Sequence, residues 1–275
     1  AAGPWVEDVL GRMDGVRAER RVRLVKGSHI VVRKFWDGPQ AYLLQNVDGR
    51  VIFVNPYEDA LALIGTTDIP YEGRPEDAAP DDDEIAYLLA AVNRYTKVRL
   101  TAADVMHTFS GVRPLYNDNA ANPSAVTRDY VFDIDGDGDS ALLLSIFGGK
   151  ITTYRKLAEH ALERLRGFLP DMGPAWTADA HLPGGDMPDA DFDGFLRNFR
   201  RAHPWLPAAL AHHYARLYGT RAERLLEGAR ALADLGQYFG GTLYEREIAY
   251  LRAVEWADNA EDILERRTKH DLHLG

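Results

Sequence analysis

No cysteine occurs in the 275 residues of the chain. That absence excludes thiol catalysis, disulfide bonds and cysteine-type zinc sites together, and it fits a cytoplasmic compartment. Long apolar runs are missing too: none approaches the roughly 18 residues that a membrane-crossing helix needs. The N-terminus lacks both the basic-then-apolar layout of a signal peptide and an initiator Met, which predicts a processed chain or one cut from something longer. Positive charge is in short supply, with 32 Lys and Arg against 42 Asp and Glu and a net charge of −10. A surface of that sign repels phosphate backbones, so no nucleic acid partner is expected. Neither a P-loop nor a Gly-x-Gly-x-x-Gly turn is present, and internal repeats and low-complexity tracts are absent as well.

What is present is an ordinary globular composition, 46% apolar and 27% charged, at a length that predicts about two domains. Residues 4–14 read as a helix with Pro4 at its first position, where a missing N–H costs nothing. From Arg21 to about Asp133 the pattern becomes β-rich, with runs at 22–24, 29–32, 41–44, 51–54, 108–116 and 125–132. Asp48-Gly49 between two of these runs is a strong hairpin signal. Such close spacing predicts an antiparallel meander, since parallel strands need long crossovers. A helix near 83–98 interrupts the meander and opens on Asp81, Asp82, Asp83 and Glu84. These acids read as first-turn charges that suit the helix dipole.

Residues 141–147 form a continuous apolar run, the pattern of a fully buried strand, followed by Gly148-Gly149 and a helix over 151–168. Beyond Pro170 the pattern is helical, with Phe192, Phe195, Leu196 and Phe199, and then Leu206, Leu210, His213, Tyr214 and Leu217, at helical spacing. A further helical stretch covers about 243–270.

Few of these residues carry chemistry by pattern alone. Asp133-Ile-Asp135-Gly-Asp137-Gly138 resembles the start of a calcium loop, but the twelfth position is Leu144 rather than Glu, so an acidic hairpin turn is expected. The pairs His212-His213 and His270-x-x-His273 fall in no metal-ligand pattern. His29 lies in Lys26-Gly-Ser-His29, read as a glycine-containing break between strands. Arg113, beside Gly111 and Pro114, is either a solvated charge or a bidentate clamp for phosphate or carboxylate. Gly148-Gly149-Lys150 ahead of a helix is either a tight turn or an anion site. Arg17, Arg20, Arg21, Arg23 and Lys26 read as a solvated basic face.

Taken in order, Leu24-Val-Lys-Gly-Ser-His29, Tyr42-Leu-Leu-Gln-Asn46, Leu63-Ile-Gly-Thr-Thr-Asp68, Ser110-Gly-Val-Arg-Pro-Leu115, Leu144-Ser-Ile-Phe-Gly-Gly-Lys-Ile-Thr-Thr-Tyr-Arg155 and Glu261-Asp-Ile-Leu-Glu-Arg-Arg-Thr-Lys269 resemble the FAD-dependent, quinone-linked glycerol-3-phosphate dehydrogenases. The resemblance implies an α+β fold: a mostly antiparallel substrate-binding sheet, remnants of a FAD-binding α/β domain, and an all-helical C-terminal domain. The implied domains are 1–18 (remnant of the FAD domain), 19–139 (substrate-binding sheet), 140–169 (return to the FAD domain) and 170–275 (helical). The family's nucleotide-binding turn lies upstream of the segment resembled by residues 1–5, so the chain is expected to be the C-terminal part of such an enzyme and inactive in isolation.

The implied reaction is oxidation of sn-glycerol 3-phosphate to dihydroxyacetone phosphate, with hydride passing to FAD and electrons on to ubiquinone. By resemblance His29 is the base, Arg113 binds substrate oxygens, and Lys150 is the lysine at the flavin and substrate, whose charge would stabilise the reduced flavin. Gly3, Pro4, Trp5, Gly148, Gly149, Lys150, Ile151 and Thr152 are the implied FAD contacts. A homodimer and a peripheral position on the cytoplasmic face of the inner membrane are also implied. The alternatives are an oxidase of the same substrate that uses oxygen, or a non-catalytic interaction fragment.

Overall fold

In the computed structural model the described residues are 1–14, 16, 20–117, 129–136 and 141–274. They form two compact units, Ala1–Ala175 and Trp176–Gly275.

The first unit opens with a 3-10 turn, Gly3–Trp5, and a short helix α1, Val6–Leu10. The helix is shorter than the pattern over 4–14 suggests, and the chain turns at Gly11. A six-stranded sheet follows, made of β1 (Val22–Arg33), β2 (Tyr42–Gln45), β3 (Val51–Tyr57), β4 (Leu61–Gly65), β5 (Ile69–Pro70) and β6 (Val105–Tyr116). Every pairing in it is antiparallel, as the close spacing of the runs predicts. The Asp48-Gly49 turn joins β2 to β3, with Gly49 at φ 81° where a side chain would be strained. Strand β1 is the hub: β4 and β5 share one edge, and β6 runs along the whole of the other.

Successive side chains of a strand point to opposite faces. Ile30 and Val32 of β1 therefore join Ile52, Val54, Ala62 and Ile64 on one face, under Leu88, Leu89, Ala91 and Val92 of α2 (Asp82–Tyr95). The helix starts on a capping box: Asp81 accepts from the Glu84 N–H at 2.9 Å, and Glu84 accepts from the Asp81 N–H at 3.1 Å. Asp82 and Asp83 are the first-turn charges that the sequence suggests.

Strands β7 (Val131–Asp135) and β8 (Leu143–Phe147) pair as a separate two-stranded ribbon. Only Ser145 and Phe147 of β8 are buried, so the apolar run is not the fully buried strand its composition suggests, because a two-stranded ribbon covers few of its side chains. The 3-10 turn Ile151–Thr153, α3 (Tyr154–Leu165) and the turn Arg166–Phe168 follow, matching the helix expected there. The expected strand residues 125–128, residues 137–138 of the acidic turn, and Arg17 of the basic stretch lie outside the described residues.

The second unit is mainly helical, with α4 (Phe192–Ala202), α5 (Ala208–Tyr218), α6 (Ala222–Leu225), α7 (Glu245–Val254), a π-helical turn Asp262–Arg267 and α8 (Asp271–Leu274). A short hairpin, β9 (Tyr238–Gly240) with β10 (Leu243–Tyr244), is set between α6 and α7. Phe199, Leu210, Tyr214, Leu225, Leu235 and Leu251 form the core. Within it Glu247 is fully buried and accepts hydrogen bonds from the Tyr218 hydroxyl at 2.6 Å and the His213 ring at 2.7 Å.

Candidate active site

The face of the sheet opposite α2 carries His29. Across the strands the register aligns Phe53, Gly65, His29 and Phe109 in one row. The His29 ring stacks on Phe109 with 4.9 Å between centroids and 7° between planes. On its other side is Gly65, where a Cβ would stand 2.6 Å from His29 Nε2 and 2.7 Å from Cγ, so the ring occupies the space of the missing side chain. Burial pushes the His29 imidazolium below its ordinary value near 6.5, and the positive charge of Arg113 pushes it further. The ring is accordingly neutral at pH 7. Its Nδ1 is buried and without a hydrogen-bond partner.

Residues 26–29 are not the break between strands that the sequence suggests, because β1 pairs with β6 without interruption there, Gly27 opposite Gly111 and Ser28 opposite Ser110. Gly27 serves a close approach instead: a Cβ at this position would lie 2.6 Å from Nη1 and Nη2 of Arg113 and from Thr66 Oγ1. Arg113 projects from β6 on the His29 face and donates to Asp68 Oδ1 at 3.0 Å and Thr66 Oγ1 at 3.3 Å. The structure thus brings His29 and Arg113 together, from positions 84 residues apart in the chain.

Lys150 stands elsewhere in the same unit, where β8 gives way to α3, and pairs with Asp129 at 3.6 Å. Gly148 and Gly149 ahead of it adopt φ of 70° and 98°, and a Cβ on Gly148 would come within 2.8 Å of the Asp129 carbonyl oxygen. Of the residues that follow, Ile151 is 89% exposed. Gly3 has φ 56°, Pro4 starts the first turn, and Trp5 donates from its indole to Glu76 at 3.2 Å.

Beneath His29, on the α2 face, lies a polar cluster that the sequence reading missed. Lys26 belongs to no solvated basic face: its ammonium is buried and meets Glu84 Oε2 at 2.7 Å. Glu84 is more than a first-turn charge, because Ser28 and Thr67 hydroxyls both donate to its Oε1 at 2.7 Å. Burial favours the neutral acid, yet the bonds from Lys26, Thr67 and Ser28 hold the carboxyl below its usual range. The Asp81-x-x-Glu84 spacing was the legible signal for the capping role; the partners from β1 and from the β4–β5 connection had none.

A family model described as "FAD dependent oxidoreductase" matches residues 1–155, and one described as "C-terminal domain of alpha-glycerophosphate oxidase" matches 175–273. The chain belongs to the FAD-dependent oxidoreductase family. FAD is the cofactor of that family. Among curated relatives, D-erythritol 1-phosphate dehydrogenase of Brucella abortus is 59% identical over 99% of this chain and 54% of its own length. Glycerol-3-phosphate dehydrogenase of Pseudomonas aeruginosa is 48% identical over 100% of this chain and 53% of its own. The aerobic glycerol-3-phosphate dehydrogenase of Escherichia coli is 46% identical over 100% and 54% respectively. The solved glycerol-3-phosphate dehydrogenase of Bacillus halodurans complexed with FAD matches at a TM-score of 0.77 and 30% identity, over 98% of this chain and 52% of that one. The chain therefore spans about half the length of the proteins it matches. None of its described helices is long and apolar enough to cross a membrane.

Proposed function

We propose that this chain is the substrate-facing part of a flavoprotein that oxidises sn-glycerol 3-phosphate to dihydroxyacetone phosphate. The observation that carries the reading is a half-buried, neutral imidazole and a guanidinium on one sheet face, His29 and Arg113. His29 accepts the proton of the C2 hydroxyl, a task for which neutrality at pH 7 is required. Arg113 binds the phosphate: two contacts within the chain leave part of its five-donor fork free, and its side chain is 30% exposed.

Bound FAD supplies the hydride acceptor. The residues at the β8–α3 turn fit the ring end of that group: two glycines with positive φ keep side chains off the turn, and Lys150 sets a half-exposed cation at the start of a helix. Gly148, Gly149, Lys150, Ile151 and Thr152, with Gly3, Pro4 and Trp5, would hold it. The adenosine and pyrophosphate need the upstream fingerprint, so the isolated chain is inactive. On this reading residues 1–18 and 140–169 belong to the FAD domain, 19–139 to the substrate domain and 170–275 to the helical domain. Ubiquinone receives the electrons at the membrane surface, in a homodimer.

The 59% identity to a D-erythritol 1-phosphate dehydrogenase favours a second substrate reading, a polyol phosphate one carbon longer. Arg113 and His29 suit both, because the phosphate and an adjacent secondary alcohol are common to the two. A dye-linked assay with each substrate and added FAD, on this chain and on one extended upstream to the length of its relatives, tests the proposal. Turnover of glycerol 3-phosphate in the extended protein alone is the expected result; preference for erythritol 1-phosphate selects the second reading, and flavin binding without turnover of either overturns both. Oxygen uptake measured beside quinone reduction identifies the acceptor.

A further inference from the structure

The buried carboxylate of Glu84 lies on the face of the sheet that the reaction does not use, yet the backbone segments that bear His29, Thr66 and Phe109 are tied to it. Its Oε1 accepts from Ser28, the neighbour of His29, and from Thr67, the neighbour of Thr66. Ser28 Oγ also meets Ser110 Oγ at 2.6 Å, on the strand that carries Phe109 and Arg113. Thr67 Oγ1 accepts from the Ser28 N–H at 2.8 Å. Oε2 accepts from Lys26, whose ammonium donates in turn to the Ala79 carbonyl at 2.9 Å, and from the Asp81 N–H. All four acceptor positions of the carboxylate are filled, with 2% of its side chain exposed.

Strand alternation gives this cluster its reach. Residues 28 and 110 point towards α2, so 29 and 109 point towards the site; in the β4–β5 connection Thr67 reaches Glu84 while Thr66 Oγ1 accepts from Arg113. We propose that Glu84 is a positioning residue, which sets the His29 ring against Gly65 and Phe109 and fixes Thr66 beside Arg113. The proposal rests on the reading of His29 as the reaction's base.

The test is a histidine-ring NMR titration of this chain and of Glu84→Gln, Thr67→Val and Thr67→Ser, each checked for native circular dichroism. A loosened cluster lets water reach His29, so its midpoint should rise towards 6.5 in Glu84→Gln. Removal of a negative charge without movement would lower the midpoint instead, so the sign separates positioning from simple electrostatics. Thr67→Val, near-isosteric, should raise it as well, and Thr67→Ser should restore it; this pair decides the matter if Glu84→Gln does not fold. An unchanged or lowered midpoint in the folded variants overturns the proposal. In the upstream-extended enzyme, kcat should fall about tenfold or more in Thr67→Val, with KM little changed and Thr67→Ser close to wild type. The titration needs no substrate, so a midpoint that moves as expected in an enzyme that oxidises neither polyol phosphate refutes the substrate reading alone.

Discussion

Gly65 is where a single methyl group should do the most. A Cβ there would sit 2.6 Å from His29 Nε2 and 2.7 Å from Cγ, whereas non-bonded heavy atoms rest at about 3.5–4.0 Å. Because Cδ2 lies closer still, the ring must retreat by more than about 1 Å, and Phe109 is stacked behind it. If the ring stays in place under strain, overpacking costs about 1–3 kcal/mol. For the unit of residues 1–175, at about 2–4 °C per kcal/mol, that is a fall of about 2–12 °C in Tm. If the ring swings into solvent, the stability loss is smaller, but His29 loses the burial that keeps it neutral and titrates near 6.5. Thermal unfolding and the histidine NMR titration of Gly65→Ala cover both routes. A variant with wild-type Tm and a wild-type His29 midpoint would refute the placement of the ring over Gly65.

Lys26→Met should cost about 3–5 kcal/mol in urea unfolding, because it strands the buried Glu84 charge, and the double variant Lys26→Met/Glu84→Gln should recover much of that loss. Burial, then the charge of His213, holds His270 below 6.5 in the helical unit. Its unfolded form binds protons first, so stability present above pH 6.5 should fall as pH drops towards the folded value, and His270→Gln should flatten that slope in chemical denaturation. Phe199, 2% exposed in the helical core, should cost about 3–5 kcal/mol on replacement by Ala, read as a fall in the unfolding free energy of that unit. Arg113→Ala in the upstream-extended enzyme should raise KM for a phosphorylated substrate far more than it lowers kcat; an unchanged KM would remove the phosphate role.

The amino-acid sequence by itself determined the features that depend on local spacing. The Asp48-Gly49 hairpin, the antiparallel order of the strands, the α2 helix with its acidic start and the helical C-terminal unit all follow from neighbours within a few residues. The motif resemblance named His29 and Arg113 as partners, but the local pattern misread their surroundings. Residues 26–29 look like a break because glycine weakens a strand, and only pairing with β6 shows that Gly27 makes room for Arg113. Lys26 looks solvated because its sequence neighbours are basic, while its actual neighbour, Glu84, is 58 positions away. Periodicity tells which residues of a strand share a face, but not what the opposite chain sets against them. Cross-strand register decides that, and register placed Gly65 and Phe109 beside His29 and the Glu84 carboxylate behind it.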